Sequence, residues 1–184
     1  LLTLFIFYEL LTFSTYPLVT HTGTAEARQA GRKYLTILVG TSVSFLLVAV
    51  IWTWLLAGTV EFRADGILNG VASPTIIGLL YVLFVFGVGK AALMPFHRWL
   101  PAAMVAPTPV SALLHAVAVV KAGVFAILKI TIYVFGVDLI HGASVTDWLM
   151  WVAAGTIIIA SLIALYQDNL KRRLAFSTIG QLGY

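Results

Sequence analysis

The sequence predicts an all-α, polytopic transmembrane helix bundle, and three observations carry that prediction. Hydrophobic residues make up 61% of the chain and charged residues 10%, with a mean hydropathy of +1.02, far from the balance of a soluble globular domain. The apolar residues fall into runs of about 20, the length a helix needs to cross roughly 30 Å of hydrocarbon. Lysine and arginine gather in every second loop, the alternation that positive-inside threading requires. With 184 residues there is room for about five full spans and a partial sixth, so 1–184 reads as a single transmembrane domain. The apolar run already under way at Leu1 and the unfinished one at Tyr184 lead us to expect an internal fragment of a longer protein. With no cysteine in the chain, it offers no disulfide framework, no iron–sulfur ligation and no c-type haem attachment. A net charge of +4 is too small to suggest nucleic acid.

In order, residues 1–19 form the first predicted span, with Glu9 as its only strongly ionisable side chain. A polar loop at 20–34 holds Arg28, Arg32 and Lys33 against Glu26. The second span covers 35–56, and the loop behind it carries Glu61, Arg63 and Asp65 with no excess of positive charge. Pro74 opens the third apolar run at a first-turn position, where a missing N–H costs nothing. That run, 74–104, passes Lys90 and then meets Pro95. As one straight helix it would be about 46 Å long, too long for one crossing, so we expect either tilt or two half-helices meeting near Lys90. Pro95 lacks a donor and clashes with the carbonyl of Ala91, which predicts a kink between them. The fourth span, 110–135, follows the Pro107 and Pro109 break and carries His115, Lys121 and Lys129. Its loop has Asp138 and Asp147 and no Lys or Arg. The fifth span covers 148–166, ahead of Lys171, Arg172 and Arg173, and a partial sixth runs over 174–184. The basic loops at 20–34, 97–106 and 167–173 are thereby assigned to the cytoplasmic side, in a prokaryotic plasma membrane or its equivalent.

Function is expected where charge meets depth. Lys90, Lys121, His115 and Glu9 are the ionisable groups placed away from the ends of apolar runs, and such groups are costly enough in a membrane to mark ion pathways. Pro95, Pro101, Pro107 and Pro109 surround them and supply helix breaks where water and movement become possible. A lysine in low dielectric gives up its proton easily unless a carboxylate holds it. A Glu9–Lys90 pair whose spacing changes would therefore act as a proton switch, with Lys121 and His115 receiving the proton through water. His115 and Lys121 stand about 9 Å apart along their helix and about 120° around it, so they cannot touch directly. Lys129 lies near the outer end of its span and is expected to snorkel, and His21, His97 and His141 fall at span ends. We expect no cofactor and no metal. The partners expected are the lipid bilayer, further membrane subunits and protons, with Na+ as the alternative ion and no nucleic acid. Two other classes fit less well: a haem- or quinone-binding electron-transfer subunit, which needs paired histidines at depth, and a passive membrane scaffold.

The stretch GKAALMPFHRWLPAAMVAPTPVSALLHAVAVVKAG, with YELLTFSTYPL before it and DNLKRRLAFSTIGQLGY at the close, resembles the antiporter-like subunits shared by respiratory complex I (NADH:quinone oxidoreductase), the multisubunit Mrp-type Na+/H+ antiporters and the membrane-bound hydrogenases. The resemblance covers nearly the whole chain and its core is long and ungapped. It implies a fourteen-helix type of subunit built from two inverted five-helix repeats, of which this chain holds helices five to nine and the start of ten. It also implies that Glu9 and Lys90 match the family's glutamate on helix five and lysine on the broken helix seven, and that His115 and Lys121 match polar positions on helix eight. The family's ionisable group on helix twelve lies past Tyr184. Phe13-Ser14-Thr15 and Phe176-Ser177-Thr178 fall on helices related by the repeat. His115 with Lys121 on one helix, and Thr24-Ala25-Glu26-Ala27 in the loop, lean toward the Mrp-type or hydrogenase-linked subunits. Any redox label belongs to the assembly, since the chain presents no redox centre of its own.

Overall fold

A computed structural model describes residues 1–114, 118–142 and 146–184. The elements are helices α1 (Leu2–Val19), α2 (Ala25–Ala57), α3 (Pro74–Gly87), α4 (Trp99–Ala102), α5 (Thr108–Ala112), α6 (Val119–Ile130), α7 (Val137–Gly142), α8 (Trp148–Leu165) and α9 (Leu170–Leu182). No strand occurs among the described residues. Helices α1, α2 and α8 are each long and apolar enough to cross a membrane.

Helix α2 differs from expectation at its start. The polar segment 20–34 is not all loop, because the helix begins at Ala25 and carries Arg28, Arg32 and Lys33 on its first turns. Hydropathy cannot see these turns, but capping chemistry sets them: the Thr24 hydroxyl accepts from the Ala27 N–H at 3.1 Å, and Glu26 sits in the first turn, where a negative charge complements the helix dipole. At 33 residues α2 is about 50 Å long, so its charged start extends beyond a hydrocarbon core while Leu38, Leu46 and Val50 are buried. Thr24→Ala removes the cap and is expected to cost about 1 kcal/mol; faster amide exchange at residues 25–28, with exchange deeper in α2 unchanged, checks it.

The third run is also not one helix, and the break lies earlier than the Pro95 argument placed it. Helix α3 ends at Gly87, only about 21 Å from its start. Lys90 therefore sits inside the broken segment, in a 3-10 turn over Gly89–Ala91, and not beside it. Ala92 takes a positive φ of 54°, the Met94–Pro95 peptide is cis, and a second 3-10 turn covers Phe96–Arg98. Pro95 lies within the break, whereas Pro101 is accommodated in α4, and Pro107 and Pro109 open α5. The helix expected over 174–184 begins sooner, at Leu170, where the Asn169 side chain accepts from the N–H groups of Lys171 and Arg172.

Glycine lets the neighbouring helices close in on the break. A Cβ on Gly87 would lie 2.7 Å from the Cα of Leu46, within a π-helical stretch of α2 over Ser42–Leu47. A Cβ on Gly123 of α6 would lie 2.5 Å from the Lys90 carbonyl carbon and 2.9 Å from the Ala91 Cα. Backbone thus meets backbone on two sides of the turn, an approach only glycine permits. Two apolar clusters pack on either side of it. One holds Tyr8, Leu46, Phe84, Val88 and Ala126, and the other holds Tyr34, Leu38, Ala92, Trp99 and Val120. Lys90 is the charged residue enclosed between them, with 0% of its surface exposed.

Candidate functional site

Irregular backbone at membrane depth survives only where its polar groups find partners inside the protein. At the break they do. The Gly89 carbonyl accepts from the Trp99 indole N–H at 2.9 Å as well as from the Ala92 N–H at 3.0 Å, and the Ala91 N–H returns to the Val88 carbonyl at 3.0 Å. The Met94 N–H reaches the Thr156 hydroxyl on α8 at 3.4 Å. Trp99 is itself fully buried and meets Tyr34 edge-on, with ring centroids 5.6 Å apart. The Tyr34 hydroxyl in turn shares a hydrogen bond of 2.6 Å with Thr15 on α1. In the sequence, Trp99 and Tyr34 show only as aromatics within or beside apolar runs, which core packing explains equally well.

Lys90 is held by one residue, Tyr8. Its backbone N–H donates to the Tyr8 hydroxyl at 3.0 Å, its ammonium donates to the Tyr8 carbonyl, and the same nitrogen stands 3.4 Å from the centroid of the Tyr8 ring. Glu9 follows directly on α1. Both of its carboxylate oxygens are shielded, and neither receives a hydrogen bond. Lys90 and Glu9 are therefore brought to the same turn of α1, close enough for their charges to interact, yet the ammonium donates to a neutral carbonyl and the carboxylate accepts no hydrogen bond.

Lys121 goes elsewhere. Helix α6 presses Gly123 onto the Lys90 turn, and Lys121 is two residues away, roughly 160° around the helix. It is exposed at the surface of the chain, in line with Phe125, Leu128 and Ile132, which are exposed as well. His115 lies outside the described residues. Lys129 is half-buried, with its ammonium 4.5 Å from the Tyr133 ring centroid and 5.3 Å from that of Phe62, an aromatic seat in keeping with a snorkelling lysine. His97 packs against Phe176 of α9, centroids 6.2 Å apart. A groove of about 620 Å³ runs between α1 and α6, lined by Phe7, Leu11, Ala122, Phe125 and Lys129 among others.

A family model described as "NADH:quinone oxidoreductase/Mrp antiporter, TM" matches residues 1–184. The chain belongs to this antiporter-like membrane family. Among its relatives, NADH-ubiquinone oxidoreductase chain 5 of Cryptococcus neoformans is 38% identical over 98% of this chain and 27% of its own length. The chloroplastic NAD(P)H-quinone oxidoreductase subunit 5 of Ipomoea purpurea is 34% identical over 98% of this chain and 26% of its own. A protein of Rhizobium meliloti described as a probable K(+)/H(+) antiporter component of the A/B type is 34% identical over 100% of this chain and 18% of its own. The chain thus spans less than a third of the length of these curated relatives. Among solved structures, the Mrp complex from Dietzia sp. matches with a TM-score of 0.82 and 32% identity, covering 97% of this chain and 19% of the matching one. The fold is accordingly that of the antiporter family, helical and membrane-spanning. Identity is the same, 34%, to the plant quinone oxidoreductase protein and to the bacterial antiporter protein, so the lean toward one branch drawn from His115, Lys121 and the Thr24–Ala27 loop is not carried by likeness.

Proposed function

We propose that this chain forms one half of a proton path in an antiporter-like subunit of a multisubunit membrane complex, whether an Mrp-type antiporter, a hydrogenase-linked complex or an NADH:quinone oxidoreductase. The observation that carries the reading is a fully buried lysine in a helix break beside a buried carboxylate that no donor satisfies. A buried carboxylate without a donor is costly, so Glu9 is suited to attract a positive charge, and Lys90 is the nearby group able to supply it. Protons are the favoured cargo, with Na+ exchange as the variant the antiporter relatives suggest. Lys121, on the far face of α6 from Lys90, and His115 are the further groups of the proposed path. Five spans with a partial sixth, the inverted repeat, and the basic segments 20–34, 97–106 and 167–173 on the cytoplasmic side of a prokaryotic plasma membrane complete the reading.

Glu9→Gln tests it. In membrane vesicles carrying the intact complex, formation of a pH gradient is expected to fall about ten-fold or more, with the amount of assembled complex unchanged. A normal rate in the assembled variant removes Glu9 from the path and leaves the passive scaffold as the reading to adopt.

A further inference from the structure

Three contacts on Lys90 come from a single side chain and its own carbonyl. We infer that Tyr8 is a positioning residue that parks the Lys90 side chain on its ring face and carbonyl, off the Glu9 carboxylate, in the resting state of the path. The inference rests on the proton-path reading above and goes further, in giving a role to a residue that does not itself carry a proton between sites.

The geometry supports a resting seat more than a fixed ion pair. Tyr8 is buried, with 4% of its surface exposed, and its hydroxyl accepts the Lys90 N–H at 3.0 Å, which fixes the backbone of the 3-10 turn over the ring. The lysine tip then has two neutral acceptors, the Tyr8 carbonyl and the ring face 3.4 Å away. A charged ammonium is attracted to both. A neutral amine keeps N–H donors and can still bond the carbonyl. Glu9, by contrast, holds only the charged form strongly. A seat that tolerates both protonation states, adjacent to a group that holds one of them, is what allows the lysine to change partners as it changes charge. The carbonyl also accepts the Thr12 hydroxyl at 3.3 Å, so it keeps a partner when the lysine leaves. Tyr8 and Glu9 are consecutive on α1, about 100° apart around its axis, so the two seats lie on one turn of the same helix.

The test uses the ring, with the full complex in membrane vesicles and gradient formation as the readout. Tyr8→Phe keeps the π face but gives up the hydroxyl that accepts the Lys90 N–H, so it serves as the baseline for the ring, whereas Tyr8→Leu removes the face as well and is expected to lower the initial rate about ten-fold below the phenylalanine protein. Incorporation of a ring-fluorinated phenylalanine at position 8 preserves size and packing while weakening the face. It is expected to lower the rate toward the leucine level with assembly unchanged, a response that a packing role would not give. Equal rates for the fluorinated and plain phenylalanine proteins overturn the inference, as does a wild-type rate for Tyr8→Leu. Should the leucine protein fail to assemble, the fluorinated pair decides alone. Glu9→Gln in the same assay separates the two levels. If it abolishes transport while the Tyr8 series is flat, only the parking role falls, and if Glu9→Gln is itself silent the path reading falls with it.

Discussion

Gly123→Ala is expected to deplete the assembled complex from the membrane, although it adds a single methyl group. The new Cβ would stand 2.5 Å from the Lys90 carbonyl carbon and 2.9 Å from the Ala91 Cα. Both are backbone atoms, so no rotamer change relieves the contact, and α6 must move off the turn. Moving α6 also disturbs Val120 and Ala126, which are buried on the same side. Overpacking of this kind costs about 1–3 kcal/mol or more, enough to unfold a marginal assembly. The control is the identical substitution at Gly155 of α8, where an added Cβ meets nothing within 4 Å. Gly155→Ala removes the helix-breaking entropy of glycine and is expected to be neutral or mildly stabilising. Native-gel quantification of both variants checks the pair. Equal yields would mean that α6 does not rest on the Lys90 turn as described.

How much of the fold is legible in the sequence follows from what each signal measures. Hydropathy reports burial of apolar surface in bulk, so it finds the apolar helix α8 and places Lys90 within an apolar run. It does not find the start of α2, because Thr24, Glu26 and the basic residues behind them are polar and their helical state is decided by a cap. Proline signals local backbone conflict, and it points to the right neighbourhood for the break. The packing around the break depends on contacts between residues distant in sequence, Gly87 with Leu46 and Gly123 with Lys90, and a glycine in an apolar run gives no notice of what it will touch. The site is legible in its charges and not in its support. Glu9 and Lys90 stand out because charge at depth is rare. Tyr8 and Trp99 do not, since a buried aromatic needs no function to account for it. The exposed position of Lys121 on α6 is legible only relative to Gly123: once that glycine is known to face the break, the helical wheel turns Lys121 away from it.

Lys90→Met should abolish gradient formation, by on the order of a hundred-fold, while the complex assembles at wild-type level. Assembly is expected to persist because methionine spares the desolvation cost of a buried ammonium, and because the groups that lose the lysine keep other partners: Thr12 remains on the Tyr8 carbonyl, and the Lys90 N–H contact to the Tyr8 hydroxyl is a backbone one. Loss of transport alone would not establish proton carriage, since a fixed positive charge could also serve by biasing Glu9. Lys90→Arg separates these roles. Arginine keeps the charge and can stack on the Tyr8 ring, yet it does not release a proton under any working condition. If Lys90 carries the proton, the arginine protein is as inactive as the methionine protein. If it only supplies a field, arginine restores most of the rate and methionine does not. The two variants, read together in one gradient assay with assembly measured on the same vesicles, thus determine whether the break around Lys90 holds a carrier or a fixed charge.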